Sequence, residues 1–349
     1  MTSETMKAVV LHGKERVVLE NVYIGEPAKG EVRIKIERAL TCGTDVKVYR
    51  RGEHARMIRP PALFGHEFAG IVDAVGTGVS HWKVGDRVVV ANSAPCDECY
   101  YCSIGREELC ENLLFFNGAF AEKAIVPSRI VSKNMLAVDA GTPLESAAMC
   151  EPLACVVRGL EVAPVAAGQS VVVLGLGPIG LMFVRMCVIA GCTVIAVGRR
   201  EARLRLAYEF GAVDTINVDE CIDIVERVRS QTPCGRGADT VIEAIGSPAA
   251  WSDAISIVRK GGMVNLFGGC ASGTTISIDT SRLHYDEVTL RSSFHHTPRS
   301  FQKALQLLSS LEVDAQRFIT TRITLNEIPD TLARLAAGQL DIVKASVLM

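Results

Sequence analysis

The clearest hydrophobic pattern in the chain is a continuous apolar run at residues 171–174, which leads into a glycine-rich turn. The run reads Val-Val-Val-Leu and has the β-branched composition of a parallel strand that is buried on both faces. Residues 181–186 follow the turn and combine apolar side chains with good helix formers. The pattern therefore predicts a strand, a tight turn and a helix in direct succession.

Apolar runs and helical segments continue to alternate after this first unit. A helix is predicted at residues 201–210, and Gly211 ends it. Further strands are predicted at residues 193–197, 240–244, 262–269 and 288–294. Because alternating strands and helices form a parallel, doubly wound sheet, we expect an α/β domain of the Rossmann type over residues 156–295.

The first part of the chain has a different hydrophobic pattern, with short apolar runs between turns that contain glycine and proline. These runs predict strands at residues 8–11, 17–19, 32–36 and 88–90. A helix predicted at residues 299–311 and the segment after it return to this β-rich part. With 349 residues the chain is long enough for two domains. We expect a β-rich domain made of residues 1–155 and 296–349.

Composition excludes several classes of protein. The net charge of −2 gives no electrostatic basis for binding nucleic acid. Residues 171–190 approach membrane-spanning length, but Arg185 and the glycine turn interrupt them, so we expect no membrane segment. Residues 1–7 lack the apolar core of a signal peptide, which favours a cytoplasmic location. In that compartment the twelve cysteines indicate metal ligands and buried thiols.

The turn after residue 174 carries the spacing Gly-x-Gly-x-x-Gly, formed by Gly175, Gly177 and Gly180 around Pro178 and Ile179. The first glycine permits a tight turn, the second lets the backbone approach a pyrophosphate, and the third lets helix and strand pack closely. Phosphates bind to the unpaired N–H groups at such a helix N-terminus. The turn therefore predicts a dinucleotide-binding site.

The end of the next strand indicates which nicotinamide cofactor is bound. A carboxylate at this position binds the adenosine ribose of NAD, whereas an arginine accommodates the 2′-phosphate of NADP. The sequence has Gly198, which leaves room, followed by Arg199 and Arg200. These arginines favour NADP over NAD. In the alternative they are solvated residues at a helix start, and Glu201 serves the ribose.

Two groups of residues have the chemistry of zinc sites. Cys42, His66 and Glu67 are competent zinc ligands on two loops that could converge, although a buried cysteine and a core histidine would give the same sequence. Four cysteines follow with the spacing C-x₂-C-x₂-C-x₇-C, and they are Cys96, Cys99, Cys102 and Cys110. This spacing fits a closed structural zinc site, whereas the common iron–sulfur run has a shorter last gap and a proline.

These motifs, in this order, resemble those of the zinc-dependent medium-chain dehydrogenases/reductases, or zinc alcohol dehydrogenase superfamily, in the branch of sorbitol (polyol) and threonine dehydrogenases. The resemblance rests on Cys-Gly-Thr-Asp at 42–45, Gly-His-Glu at 65–67, the cysteine cluster, Glu-Pro-Leu-Ala at 151–154 and the glycine turn. It covers essentially the whole chain. It implies a GroES-like catalytic domain with a structural zinc lobe at about residues 94–112, beside the Rossmann domain.

The resemblance also implies roles for single residues. Cys42, His66 and Glu67 would hold a catalytic zinc, so the chain would bind two zinc ions in total. Glu151 would hold zinc-bound water or join the ligands, unless it only favours the start of a helix. Thr44 would relay the alcohol proton, although Lys47 stands where the family often has histidine. His295 occupies about the position of a substrate-facing arginine.

The function predicted from the sequence is reversible hydride transfer between NADP and a secondary alcohol of a polyol, sugar or cyclitol-like substrate. One alternative is an enzyme similar to L-threonine 3-dehydrogenase that uses NAD. The other is a non-catalytic NADPH-binding redox sensor. From the resemblance we expect a small-molecule substrate and a homodimer or homotetramer.

Overall fold

The computed structural model describes residues 4–349. The chain divides into two compact units. Unit 1 runs to Ala154 and resumes at His296–Met349, and unit 2 is Cys155–His295. The division at Ala154 falls inside a helix that begins at Cys150.

The strands, in chain order, are β1 (Thr5–Gly13), β2 (Arg16–Tyr23), β3 (Val32–Leu40), β4 (Ala62–Leu63), β5 (Glu67–Val75), β6 (Arg87–Val90), β7 (Ser93–Ala94), β8 (Leu114–Phe115), β9 (Lys123–Val126), β10 (Met135–Ala137), β11 (Ser170–Leu174), β12 (Thr193–Gly198), β13 (Asp214–Asn217), β14 (Ala238–Glu243), β15 (Val258–Leu266), β16 (Thr289–Arg291), β17 (Ile319–Thr324) and β18 (Lys344–Leu348).

The α-helices are α1 (Gly43–Arg51), α2 (Tyr100–Ser103), α3 (Ser128–Lys133), α4 (Leu144–Ala147), α5 (Cys150–Val162), α6 (Pro178–Ile189), α7 (Glu201–Glu209), α8 (Ile224–Ser230), α9 (Pro248–Ile257), α10 (Thr280–His284), α11 (Pro298–Ser309) and α12 (Ile328–Ala336). Across residues 4–349, none of these helices combines the length and the apolar character needed to cross a bilayer.

Unit 1 is built on a largely antiparallel sheet with the strand order β10-β6-β5-β3-β18-β17, and β9 also pairs with β3. A smaller sheet has the order β2-β1-β4. Apolar side chains of β1, β3, β5 and β6 form one buried core with Phe64 and Phe120. In the larger sheet, Leu40 at the end of β3 is flanked by β5 on one side and by β18 on the other.

Unit 2 is a parallel sheet with the order β13-β12-β11-β14-β15-β16, which is the doubly wound Rossmann order 3-2-1-4-5-6. The predicted fold class is confirmed. Val171, Val172 and Val173 are completely buried, as expected for a strand with both faces covered. Their strand lies in the middle of the sheet, so the turn that follows β11 lies between the two halves of the sheet, where this fold binds ligands.

In unit 2 the structure differs from the sequence prediction at the two edge strands, β13 and β16, and at β15. Strand β13 has no apolar run, because Asp-Thr-Ile-Asn at an edge strand needs only one buried side chain, Ile216. Strand β15 begins at Val258, earlier than predicted, and the edge strand β16 is shorter than the predicted strand at 288–294. Edge strands carry a weak hydrophobic signal since one side of each is unpaired.

Candidate functional site

Helix α1 starts at a cysteine whose position is fixed by an aspartate. Cys42 is the N-cap residue, and its Sγ accepts the backbone N–H of Thr44 at 3.4 Å. Asp45 completes a capping box, because its Oδ2 accepts the backbone N–H of Cys42 at 2.8 Å. The local helix start therefore holds Cys42 in a defined orientation.

The other oxygen of Asp45 orients His66. The His66 Nδ1 lies 3.0 Å from Asp45 Oδ1, and both side chains are almost fully buried. Burial lowers the pKa of His66, but the charges of Asp45 and Cys42 raise it well above its ordinary value. Since Nδ1 bonds to the carboxylate, Nε2 is the ring atom left to bind a metal ion, an arrangement that is common for metal-ligating histidines.

Strand register brings a lysine from the far end of the chain to Glu67. Glu67 pairs with Leu40 of β3, and Ser346 of β18 pairs with the same residue on the other side. Lys344 Nζ contacts Glu67 Oε2 and donates to the Thr41 carbonyl at 3.0 Å. Burial lowers the pKa of Lys344, but the Glu67 carboxylate raises it above its ordinary value.

The resulting group has the donors and the spacing of a zinc site. The ligand atoms of Cys42, His66 and Glu67 lie within 4.8 Å of one another. Glu67 Oε1 is buried and has no hydrogen-bond partner among residues 4–349. An unpaired buried carboxylate oxygen is costly unless a cation or a donor satisfies it. Cysteine, histidine and carboxylate are all ordinary zinc ligands, so these residues fit the metal that the sequence indicates.

Glu151 lies outside that group, in the first turn of α5. Burial raises its pKa to about 7, while the charge of His66 lowers it and that of Glu67 raises it. Its Oε1 lies 4.0 Å from Nε2 of His296, which donates to Asn92 Oδ1 at 3.0 Å. Because burial lowers the pKa of His296 to about 3, this histidine is neutral beside Glu151.

The remaining residues predicted to serve catalysis occupy different settings. Thr44 is partly buried in the first turn of α1, and Lys47 is exposed one turn later. His295 is partly buried in unit 2 and has a left-handed backbone with φ of 60°.

The four clustered cysteines converge as their spacing predicts. The distances between Sγ atoms are 3.6 Å for Cys99–Cys102, 3.9 Å for Cys99–Cys110 and 3.4 Å for Cys96–Cys110. A tetrahedral site with Zn–S bonds of about 2.3 Å would place its sulfurs about 3.8 Å apart. Backbone N–H groups of Cys102 and Glu111 lower the pKa of the Cys99 thiol to about 6, which favours the thiolate that binds metal.

The glycines after β11 have the conformations that a dinucleotide turn requires. Gly175 has φ of +97°, and Gly177 is the N-cap of α6. A Cβ on Gly177 would meet no atom within 4 Å, so the backbone there is open to approach. A Cβ on Gly180 would lie 1.7 Å from the Gly175 carbonyl oxygen. Pro178 and Ile179 lie between Gly177 and Gly180 and are the first two residues of α6.

The arginines that follow β12 lie at the carboxyl edge of the same sheet. Arg199 is exposed and its Nε lies 3.4 Å from Asp219 Oδ1, while Arg200 precedes α7 with φ of 64°. Gly198 is buried, and a Cβ there would lie 2.7 Å from Leu176 Cγ. Leu176 therefore occupies the space that a side chain at position 198 would need.

Several residues of the site were missed by sequence reasoning. Asp45 carries a recognisable signal, because it stands three residues after the helix N-cap in the pattern of a capping box. Lys344 and Asn92 carry none, since their contacts depend on how strands and loops from distant parts of the chain come together.

We expect Asp45→Asn to lower the zinc affinity of the site formed by Cys42, His66 and Glu67 about 10–100-fold. This is the usual effect of removing a group that orients a histidine ligand. Competition with a chromophoric chelator measures this affinity. The matched control is Asp86→Asn, because Asp86 also caps a backbone N–H, that of Lys83, in an exposed turn. Equal zinc affinity in Asp45→Asn and the unaltered protein would contradict the assignment.

We expect Gly180→Ala to lower the free energy of unfolding by about 1–3 kcal/mol or more, because its Cβ must displace the Gly175 backbone. Gly177→Ala is the control, and its effect should stay within about 1 kcal/mol, as for a modest loss of helix capping. Thermal or urea unfolding without cofactor measures both. Equal stability of the two variants would show that the turn relaxes around residue 180.

Comparison with known families agrees with this geometry. A family model described as an alcohol dehydrogenase GroES-like domain matches residues 28–135, within unit 1. A second, described as zinc-binding dehydrogenase, matches residues 178–310. The first match includes Cys42, His66, Glu67 and the four clustered cysteines, and the second begins at Pro178, within the glycine turn.

Individual relatives match over nearly the full length. An L-threonine 3-dehydrogenase of Bacillus subtilis is 34% identical over 97% of this chain and 98% of its own. A sorbitol dehydrogenase of the same species is 28% identical over 99% of this chain and 97% of its own. A solved structure from Sinorhizobium meliloti, described as a zinc-binding dehydrogenase bound to NADP, is 32% identical with a TM-score of 0.91, covering 99% of this chain and 100% of that one. The chain therefore belongs to the zinc-dependent medium-chain dehydrogenases, in the branch of the polyol and threonine dehydrogenases.

Proposed function

We propose that the protein transfers a hydride between NADP and the secondary alcohol of a polyol, sugar or cyclitol-like substrate. The cofactor assignment depends on the residues that follow β12. Arg199 and Arg200 come directly after the strand, at the position where an NAD-binding protein has a carboxylate. A planar guanidinium binds a phosphate through paired hydrogen bonds. The relative from Sinorhizobium meliloti, whose structure holds NADP, supports the same choice.

In this proposal Cys42, His66 and Glu67 hold a catalytic zinc, and Glu151 either joins these ligands or holds a water beside the metal. Zinc bound there supplies a Lewis acid for an alcohol or ketone oxygen. The chain's own contribution is to fix the ligands, since Asp45 orients His66 and Lys344 holds one oxygen of Glu67. Cys96, Cys99, Cys102 and Cys110 bind the second, structural zinc.

Proton movement is assigned to Thr44. Its Oγ1 accepts the proton of the substrate hydroxyl and passes it outward, because a hydroxyl can accept and donate at the same time. Lys47 is exposed one turn further along α1, and a charged ammonium has no acceptor site. The relay therefore continues to water beyond Thr44.

The cofactor is assigned to unit 2. Gly175, Gly177 and Gly180 receive its pyrophosphate at the N-terminus of α6, with Pro178 and Ile179 shaping the first turn. Arg199 and Arg200 receive the 2′-phosphate, beside Gly198. His295 contributes to substrate binding. Hydride transfer then needs the nicotinamide ring within close reach of the substrate carbon.

A second candidate function is the oxidation of L-threonine with NAD, which the 34% identity to an L-threonine 3-dehydrogenase favours. A panel of polyols, sugars, cyclitols and amino alcohols, assayed with both cofactors, distinguishes the two. Turnover of threonine with NAD, and of no polyol, would replace the first proposal. A redox sensor would turn over none of these substrates and would keep its function in Cys42→Ser.

We also propose that the protein is a homodimer or homotetramer. The edge strands β13 and β16 of unit 2 each leave one side without a partner strand among residues 4–349. Such edges can pair with another copy of the chain. Sedimentation analysis of the purified protein tests this assembly.

The unaltered protein should prefer NADP about tenfold to a thousandfold, because each charge-assisted hydrogen bond contributes roughly 1.5–3 kcal/mol before it is discounted for solvent. Arg199→Ala should remove about tenfold of this preference, mainly through the KM for NADP. Arg205→Ala is the matched control, since Arg205 is an exposed arginine on helix α7, which begins two residues after Arg199. Initial rates with each cofactor decide the point, and a preference of the unaltered protein for NAD would refute it.

Elemental analysis of protein purified without chelator should give about two zinc ions per chain, one from an open and one from a closed site. Cys42→Ser should lose turnover and one zinc while it keeps its fold. Cys99→Ser should instead lower the unfolding temperature, because a structural zinc contributes folding free energy. An inactive Cys99→Ser protein as stable as the parent would mean that the two sites are reversed.

A further inference from the structure

Two parallel strands bring an acidic turn next to the arginines that follow β12. In the sheet of unit 2, Gly198 at the end of β12 is paired with Asn217 at the end of β13. Arg199 comes directly after the first strand, and Asp219 comes two residues after the second. The register therefore places the two residues at the same edge of the sheet, where the adenosine ribose of a dinucleotide binds in this fold.

The backbone of Asp219 is fixed by its neighbour in the sequence. Asn217 Oδ1 accepts the backbone N–H of Asp219 at 3.1 Å and so caps a short 3₁₀ turn, Val218–Glu220. Asn217 Nδ2 donates to Glu220 Oε1 at 2.7 Å. Glu220 is thus engaged within the turn, and the carboxylate of Asp219 is the one directed to Arg199, with 3.4 Å between Oδ1 and Nε.

We propose that Asp219 is a specificity-determining residue that weakens 2′-phosphate binding by occupying Arg199. A carboxylate and a phosphate are both ligands for the same guanidinium fork, so a bound phosphate must compete with Asp219 for Arg199. Both side chains are more than half exposed, at 72% for Arg199 and 63% for Asp219. Because exposed ion pairs are weak, Asp219 adjusts the preference between the two cofactors and does not abolish binding of either.

This inference rests on the proposed assignment of Arg199 to the 2′-phosphate. It adds Asp219 as a residue that weakens the binding of that phosphate to Arg199. A cofactor without the phosphate has only a neutral ribose hydroxyl at this position, so its binding does not require Arg199 to leave Asp219. The prediction is therefore selective. Removing the charge of Asp219 strengthens the binding of the phosphorylated nucleotide only.

The test uses 2′,5′-ADP and 5′-AMP as probes, titrated calorimetrically into the full-length protein. We expect Asp219→Asn to bind 2′,5′-ADP about twofold to fivefold more tightly, the range that corresponds to an exposed ion pair. Binding of 5′-AMP should change less than twofold. Glu220→Gln is the matched control, because it removes the same charge one residue away and keeps an acceptor for Asn217.

A double-mutant cycle shows whether Asp219 acts through Arg199. In an Arg199→Ala background, Asp219→Asn should change 2′,5′-ADP affinity less than twofold. An equal gain in both backgrounds, or an equal gain in Glu220→Gln, would overturn the inference in favour of general electrostatic repulsion. So would the absence of any gain in Asp219→Asn.

The same titrations separate this inference from the proposed function. Tighter binding of 5′-AMP than of 2′,5′-ADP by the unaltered protein would contradict the NADP assignment. The role of Asp219 is decided independently, by the change in 2′,5′-ADP affinity that Asp219→Asn causes in the unaltered protein and in Arg199→Ala. The KM values of Asp219→Asn for NADP and NAD should follow the same selectivity, with kcat unchanged.

Discussion

The arrangement of the proposed zinc ligands in unit 1 depends on the carboxylate of Asp45. One oxygen accepts the N–H that begins helix α1, and the other holds the imidazole of His66. Because one rigid, buried group makes both contacts, the helix start and the orientation of the histidine are fixed together. Cys42 Sγ and His66 Nε2 are thus positioned before any metal ion binds, which reduces the ordering that binding must impose.

Around this carboxylate lies an unusual density of buried charge. Glu67, Glu151 and Asp45 are almost completely buried, and Lys344 is the buried cation that contacts Glu67. Lys344 contacts Glu67 and His66 contacts Asp45, but Glu67 Oε1 has no hydrogen-bond partner among residues 4–349, and a buried carboxylate oxygen left unpaired is costly. A divalent cation at Cys42, His66 and Glu67 is the natural complement of this charge distribution. The electrostatics of the site therefore agree with its ligand chemistry.

Features set by local sequence could be predicted, and features set by distant pairing could not. The glycine turn and the cysteine cluster are local, because a few adjacent residues determine their backbone path and donor spacing. The contact of Lys344 with Glu67 depends on the order β5-β3-β18, which no short pattern encodes. Asp219 was missed for a similar reason, since it follows an edge strand without a hydrophobic signal.

The position of Lys344 in β18 also has a consequence for the order in which the chain matures during synthesis. Unit 2 is continuous in sequence, so all of its strands are available once residue 295 has left the ribosome. Unit 1 must wait for β18, because Lys344 lies 277 residues after Glu67. Contacts of such long range form late, and domains generally fold as units in the order of their completion. Unit 2 is thus complete in the nascent chain before the pocket of Cys42, His66 and Glu67 can close, so the zinc proposed for that pocket would be acquired late in biogenesis.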